Sequence, residues 1–281
     1  MVLFKKTDRL IASLQEARNE GKTIGFAPTM GALHAGHISL VEASKKQNDL
    51  TLVSIFVNPA QFNDKTDFEK YPVTIEKDIE WLLKADCDLL FWPAVEEVYP
   101  TGYEQSPHYD LGYLETILEG KYRPGHFQGV CKVMHRLINI VQPTNLYMGQ
   151  KDYQQCMVVG RLLTLMQSST VLHTCPILRE PDGLAMSSRN TRLSAEERKR
   201  ATAISGALNY IKQNIKPGNF DDLVATATDM LIGQEFKVDY VAIADAQTLE
   251  LMKDWNGQQK IVALIAAFQH EVRLIDNMLL N

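Results

Sequence analysis

Cysteine is scarce in this chain of 281 residues, with Cys87, Cys131, Cys156 and Cys175 far apart and no C-x-x-C pair. That spacing excludes a zinc ribbon and a dense disulfide framework. It suggests buried thiols in a reducing, cytoplasmic setting. Long apolar runs are missing too. The uncharged stretch Leu162–Leu178 carries Thr164, Gln167, Ser168, Ser169, His173 and Pro176, too polar for a membrane span. Lys5, Lys6, Asp8 and Arg9 sit where a signal peptide needs its apolar segment, so no secretory signal is expected. Charge of one sign is also lacking. Lys and Arg number 29 against 34 Asp and Glu, a net −5 that disfavours a broadly basic nucleic-acid binder. Several familiar motifs are absent: G-x-G-x-x-G, H-E-x-x-H and G-x-S-x-G. Gly31 and Gly36 have P-loop spacing, but His37-Ile38 follow in place of Lys-Ser/Thr.

What is present is an ordinary globular composition, 45% hydrophobic and 22% charged. The first part alternates β-rich runs with helical patterns. The runs are Lys22–Ala27, Asp49–Val57, Cys87–Trp92, Asn145–Met148 and Thr170–Cys175. Helices are expected at His37–Gln47, after the first strand, at Thr74–Lys84, with an acidic opening, and at Gln128–Val141 and Asp152–Met166, where apolar residues recur at spacings of three and four. This alternation predicts an α/β fold, a Rossmann-like doubly wound parallel sheet. Ligands then bind beyond the carboxyl ends of the strands. The tail reads as a second, smaller α/β domain. It has helices at about 195–213 and 221–235 and strands at Val238–Ala244, Ile261–Phe268 and Glu271–Ile275. The expected domains are residues 1–177 and 178–281.

The chemistry concentrates in loops. Pro28-Thr-Met-Gly-Ala-Leu-His-Ala-Gly-His37 joins the first strand to the first helix. Its H-x-G-H puts His34 and His37 on one side of a helical turn. Backbone N–H groups there can receive phosphate, and imidazoles can stabilise charge developing on an α-phosphate. A paired surface or core histidine is the plain alternative. A metal site lacks further ligands nearby. Met186-Ser-Ser-Arg189 follows a Pro181-Asp182-Gly183 turn and, as a flexible loop, suits a closing phosphate clamp. In Gly149-Gln-Lys-Asp152, Lys151 can hold triphosphate oxygens and Asp152 can cap a helix. Asn58 and Gln61 offer neutral donors and acceptors, and Arg123 lies in a loop with His126.

H-x-G-H with Ser-Ser-Arg resembles the superfamily of class I aminoacyl-tRNA synthetases and nucleotidylyltransferases. Longer strings narrow the resemblance. They are Pro28–His37, Ser54-Ile-Phe-Val-Asn-Pro-Ala-Gln-Phe62, Arg123-Pro-Gly-His-Phe127, Lys151-Asp-Tyr-Gln-Gln155 and Asp182-Gly-Leu-Ala-Met-Ser-Ser-Arg-Asn190. Together, over about 23–193 and weakly through Arg273–Asn277, they resemble the pantothenate synthetase (pantoate–β-alanine ligase) family.

The resemblance implies a two-step reaction: pantoate and Mg-ATP give pantoyl adenylate and pyrophosphate, then β-alanine gives pantothenate and AMP. It implies ATP contacts from Met30, Gly31, Ala32, Leu33, His34, Ala35, Gly36 and His37. Further ATP contacts are implied for Gly149, Gln150, Lys151, Asp152, Leu178, Met186, Ser187, Ser188 and Arg189. His37, His34 and Lys151 would be catalytic. Gln61 and Gln155 would hold pantoate, and Gln61 also β-alanine. Asn58 and Arg123 are further substrate contacts to test, and Asp78 would approach the Mg2+ that accompanies ATP. Gln150 stands where the family usually has Glu. The implied partners are these small molecules and a second copy of the chain, a homodimer, with no nucleic acid and no membrane. An expected strand at Asp110–Leu118 is a candidate interface. Two other classes stay open at this point. One is a nucleotidyltransferase acting on a phosphorylated small molecule, which leaves Gln61 and Gln155 unexplained. The other is a non-enzymatic nucleotide- or RNA-binding module, which net charge disfavours.

Overall fold

The computed structural model describes residues 1–62, 68, 71–102 and 107–281. The chain divides into two compact units, one of residues 1–150 and 154–176, the other of residues 151–153 and 177–281. The division thus falls one residue before the expected boundary, and the short Lys151–Tyr153 piece clusters with the second unit.

The first unit is built on six parallel strands: β1 (Val2–Phe4), β2 (Ile24–Thr29), β3 (Leu50–Ile55), β4 (Leu89–Phe91), β5 (Asn145–Gly149) and β6 (Val171–Cys175). Their order is β1-β4-β3-β2-β5-β6. The order reverses between β2 and β5, so the chain winds outward in both directions from that point. Such a switch point leaves a crevice beyond the carboxyl ends of the two central strands. β2 ends at Thr29 and β5 at Gly149, directly before two of the motifs.

Side-chain alternation explains why both faces are covered. Phe26, Leu52, Phe91 and Leu146 enter one core with α1 (Thr7–Asn19), α6 (His126–Val141) and α7 (Tyr153–Leu165). Their neighbours Ala27, Val53, Leu90 and Tyr147 enter the other, with α2 (Ala35–Lys45) and α3 (Ile75–Lys84). A strand of period two thus feeds two apolar layers, which is why these runs read as almost continuously hydrophobic. Two short helices, α4 (Val95–Val98) and α5 (Leu118–Tyr122), complete the elements of this unit that matter below.

Some expectations change. β1 and α1 were not anticipated, although Leu10, Leu14 and Ala17 bury one face of α1 at helical spacing. Asp110–Leu118 is not a strand. Asp110 Oδ1 accepts the Gly112 N–H at 3.1 Å, a 3-10 turn follows over Gly112–Glu115, and Leu118 has φ +44°. That side-chain turn diverts the backbone from an extended path.

In the second unit β8 (Phe236–Asp245), β10 (Ile261–Gln269) and β11 (Val272–Leu279) form an antiparallel sheet in the order β11-β10-β8. Two-residue strands β7 (Gly218–Asn219) and β9 (Asp254–Trp255) pair separately. The sheet packs with α8 (Ala195–Ala201), α9 (Ala203–Asn214) and α10 (Asp221–Ile232). The single helix expected near 195–213 is therefore two, divided at Thr202. Ser194 and Glu197 close a reciprocal cap at the first of them.

Candidate active site

The turn after β2 is held almost entirely by its own side chains and by Asp78. Gly31 has φ +86°, and a Cβ there would come within 3.1 Å of both Asp78 Oδ2 and Ile55 Cγ2. Only glycine meets both demands. Ala32 follows at φ +49°, a conformation that is costly for a residue with a side chain. Asp78 compensates. Its Oδ2 accepts the Ala32 N–H at 2.9 Å, and its Oδ1 accepts the Leu33 N–H at 2.8 Å. Thr74 Oγ1–H donates to the same Oδ1 at 3.0 Å, one helical turn earlier on the rim of α3. Asp78 is buried, so this carboxylate is a structural clasp for the turn.

Two histidines then start α2. His34 Nδ1 accepts the Gly36 N–H at 3.1 Å, and His37 Nδ1 accepts the His34 N–H at 3.3 Å. Their ring centroids lie 4.0 Å apart. An Nδ1 that accepts from the backbone places the proton of the neutral ring on Nε2. Helix α2 consequently begins two residues before the expected His37, because the histidines cap it. The N–H groups of Gly31, Ala32, Leu33, His34, Gly36 and His37 all bond within this unit, so the turn satisfies these donors internally.

Asn58 is 1% exposed and forms a hub. Its Oδ1 accepts from Tyr99 O–H at 2.9 Å and from the Ala60 N–H at 3.3 Å. Its Nδ2 donates to Gln61 Oε1 at 3.1 Å and to the Gly129 carbonyl at 3.2 Å. All four hydrogen-bonding positions of the amide are filled, so Asn58 positions Gln61. Gln61 Nε2 in turn donates to Met30 Sδ at 2.8 Å. A Cβ on Gly129 would lie 2.0 Å from the Ala60 carbonyl oxygen, so glycine is what lets α6 reach the 3-10 turn Pro59–Gln61.

Arg123 joins the same region from α5. Its Nη1 lies 3.6 Å from Glu119 Oε2 and 3.1 Å from His126 Nε2. His126 Nδ1–H donates to the Gln61 carbonyl at 2.8 Å, which makes Nε2 the acceptor for Arg123. Gln154, buried at the start of α7, accepts the Glu119 N–H at 3.0 Å and donates to the Leu114 and Ile117 carbonyls. Its neighbour Gln155 is half-buried and has no protein partner for its amide among the described residues. A cavity of about 200 Å³ opens beside Met30, Gly31 and Asp78, against Ile55 at the end of β3 and Trp92 after β4.

The second unit carries the other predicted residues. Lys151 Nζ lies 3.4 Å from Asp152 Oδ1. The Leu178 carbonyl accepts the Met186 N–H at 3.0 Å, closing a hairpin over the Pro181-Asp182-Gly183 turn. Arg198 grips Asp182 with both terminal nitrogens, at 2.6 and 3.1 Å, and holds its carboxyl below the usual range. Ser187 Oγ accepts the Arg189 N–H at 3.3 Å, starting a 3-10 turn over Ser188–Arg192. Asn190 Nδ2 donates to the Ala185 carbonyl at 3.0 Å. The Ser187–Arg189 segment is thus a built turn where a loose loop was expected. Sequence reasoning did not single out Thr74, Tyr99 or Gly129, which hold Asp78, Asn58 and the Pro59–Gln61 turn, and it gave no role to Asp276 and Asn277 within the Arg273–Asn277 string.

A parallel sheet with this switch point, an H-x-G-H helix start and a Ser-Ser-Arg turn defines a nucleotide-binding α/β protein. A profile of the pantoate–β-alanine ligase family matches residues 2–279, and the chain belongs to that family. It is 45% identical over 269 residues to pantothenate synthetase of Fervidobacterium nodosum, covering 95% of each chain. It is 42% identical over 287 residues to that of Cytophaga hutchinsonii, covering 100% of this chain and 99% of the relative. The fold matches the crystal structure of pantothenate synthetase from Thermus thermophilus with a TM-score of 0.90, 39% identity and 99% coverage of both chains. It matches the pantoate–β-alanine ligase of Francisella tularensis, solved with β,γ-ATP and β-alanine, at a TM-score of 0.83. Identity there is 35%, with 99% of this chain and 97% of that one covered.

Proposed function

We propose that the chain is an ATP-dependent ligase that condenses pantoate with β-alanine through pantoyl adenylate. A pantoate carboxylate oxygen attacks the α-phosphorus of ATP, and pyrophosphate leaves. The β-alanine amine then attacks the acyl carbon, loses a proton, and AMP departs with the bridging oxygen. The observation that carries this reading is the self-capped His34–His37 pair at the end of β2. It presents two Nε2–H donors on one helix start.

In this reading His37 and His34 stabilise charge on the phosphates as pyrophosphate leaves. Lys151 and Arg189 bind triphosphate oxygens as cations. Residues Met30–His37, Gly149–Asp152, Leu178 and Met186–Arg189 form the nucleotide set. Gln61, pre-oriented by Asn58 and Met30, holds pantoate and meets β-alanine, and Gln155 supplies a second amide. Arg123 acts through His126 on the Gln61 backbone. Gln150 tolerates replacing the family's usual Glu if its contribution is backbone.

Asp78 does not fit a magnesium ligand, because both its oxygens already serve the turn. Among the described residues no group of three or more His, Cys, Asp or Glu is arranged to hold a metal. Magnesium is therefore assigned to the triphosphate and water, in keeping with its reluctance to dehydrate. A homodimer in the cytoplasm completes the reading. No helix among the described residues is long and apolar enough to cross a membrane. The test is ATP–pyrophosphate exchange. It should require pantoate, and adding β-alanine should release AMP. Exchange that is independent of pantoate would overturn the reading.

A further inference from the structure

We propose that Asp276 and Asn277, adjacent on β11, are positioning residues for the nucleotide-handling segments of the second unit. This rests on the proposed function for the roles of Lys151 and the Leu178–Arg189 segment. The first observation is a break in strand alternation. Along β11 the residues Val272, Leu274 and Asp276 are buried and those between are half-buried, but Asn277 is buried as well. Neighbouring strand residues face opposite sides, so two polar side chains are buried on two faces at one point.

Each is committed to a segment with a predicted role. Asn277 Nδ2 donates to the Lys151 carbonyl at 2.9 Å, which fixes the backbone from which the Lys151 ammonium extends. Asp276 takes Arg179 in a two-pronged pair, at 2.6 and 3.0 Å. Arg179 also donates from Nη1 to the Gly183 carbonyl at 3.0 Å and from Nη2 to the Asn277 carbonyl at 3.3 Å. One guanidinium thus pins the residue after Leu178, the turn of the hairpin and β11 together. The Asn277 N–H closes the arrangement on Asp276 Oδ1 at 2.8 Å.

Burying such groups is costly, and an apolar pair of similar volume is often at least as stable. A purely structural role therefore explains the pair poorly. Fixing two backbone segments explains it well, because misplacing a catalytic group by about 1 Å can cost about a hundredfold in rate. Asn277 is the donor that sets Lys151, and Asp276 sets the hairpin through Arg179.

The experiment is a double-mutant cycle with Asn277→Ala and Lys151→Ala in the full chain. ATP affinity is read by calorimetry and pantoate-dependent exchange is read alongside. Asn277→Ala should weaken ATP binding several-fold and slow exchange by about ten- to a hundredfold, as expected for lost orientation. The same change in the Lys151→Ala background should cause little further loss. Asn277→Asp, which keeps the shape but removes the donor, should reproduce the defect and serves if the alanine variant does not fold. Unchanged ATP binding, or a full extra loss in the Lys151→Ala background, overturns the proposal. A wild-type protein that binds ATP without pantoate-dependent exchange defeats the proposed function, while the ATP affinities still decide the role of Asn277.

Discussion

The Asp78 carboxylate accepts the backbone N–H of Leu33 at 2.8 Å, and this bond clasps the turn after β2 to α3. With the Ala32 N–H on the other oxygen, it offsets the left-handed backbone at Ala32. Replacing Asp78 by Ala leaves the buried Leu33 N–H without this acceptor, at about 1–3 kcal/mol. The expected outcome is a lower melting temperature and a raised KM for ATP, with an unchanged magnesium dependence at saturating ATP. A shifted magnesium requirement, measured by titrating the metal against fixed ATP, would return Asp78 to metal binding.

His37 has a structural duty beside the chemical one proposed for it, since its Nδ1 accepts the His34 N–H. Losing that bond costs about 1 kcal/mol, the usual value of a helix cap. Losing the Nε2–H donor should slow adenylate formation about a hundred- to a thousandfold. Single-turnover kinetics of His37→Ala, beside its thermal melt, separate the two effects. A rate that falls only as far as the fraction unfolded leaves His37 without a chemical role.

Gly129→Ala reaches Gln61 from behind. The added Cβ meets the Ala60 carbonyl oxygen at 2.0 Å and Gln61 Cα at 2.5 Å, so the Pro59–Gln61 turn must move. Overpacking of this kind costs about 1–3 kcal/mol. The KM for pantoate should rise more than that for ATP, since Gln61 holds pantoate in this reading. Equal effects on both substrates would mean a general loss of the fold.

The cysteines provide a pH prediction. Burial pushes Cys87 up to about 11 and Cys131 up to about 12, and raises Cys175 as well. At pH 8 only about one Cys87 in a thousand is then a thiolate, the reactive form. Native protein should label slowly with a thiol reagent and denatured protein fast. The unfolded chain loses these protons near its ordinary thiol pKa, whereas the fold keeps them. The stability they contribute is therefore full below about pH 8.5 and is lost as pH rises through the folded values. Denaturant midpoints that stay flat from pH 8 to 11 would contradict this.

Much of this was legible in the sequence, for identifiable reasons. Strands β2 to β5 announce themselves because burial on both faces makes them nearly continuous apolar runs. The H-x-G-H and Ser-Ser-Arg strings are legible because their chemistry is local. What stayed hidden acts at a distance in the chain. Asp78 serves Leu33 from 45 residues away, and Asn277 serves Lys151 from 126 residues away. No spacing rule connects such pairs. Nothing local shows either that Tyr99 and Gly129 occupy the Asn58 amide. The failed strand at Asp110–Leu118 turned on a side-chain hydrogen bond that competes with an extended backbone.

The most direct test of the adenylate follows one atom. Pantoate labelled with oxygen-18 in its carboxylate is converted with ATP and β-alanine, and the products are weighed by mass spectrometry. The account predicts a single labelled oxygen in AMP, because the pantoate oxygen that attacks the α-phosphorus leaves with it. Label in pyrophosphate or inorganic phosphate, with none in AMP, would contradict it.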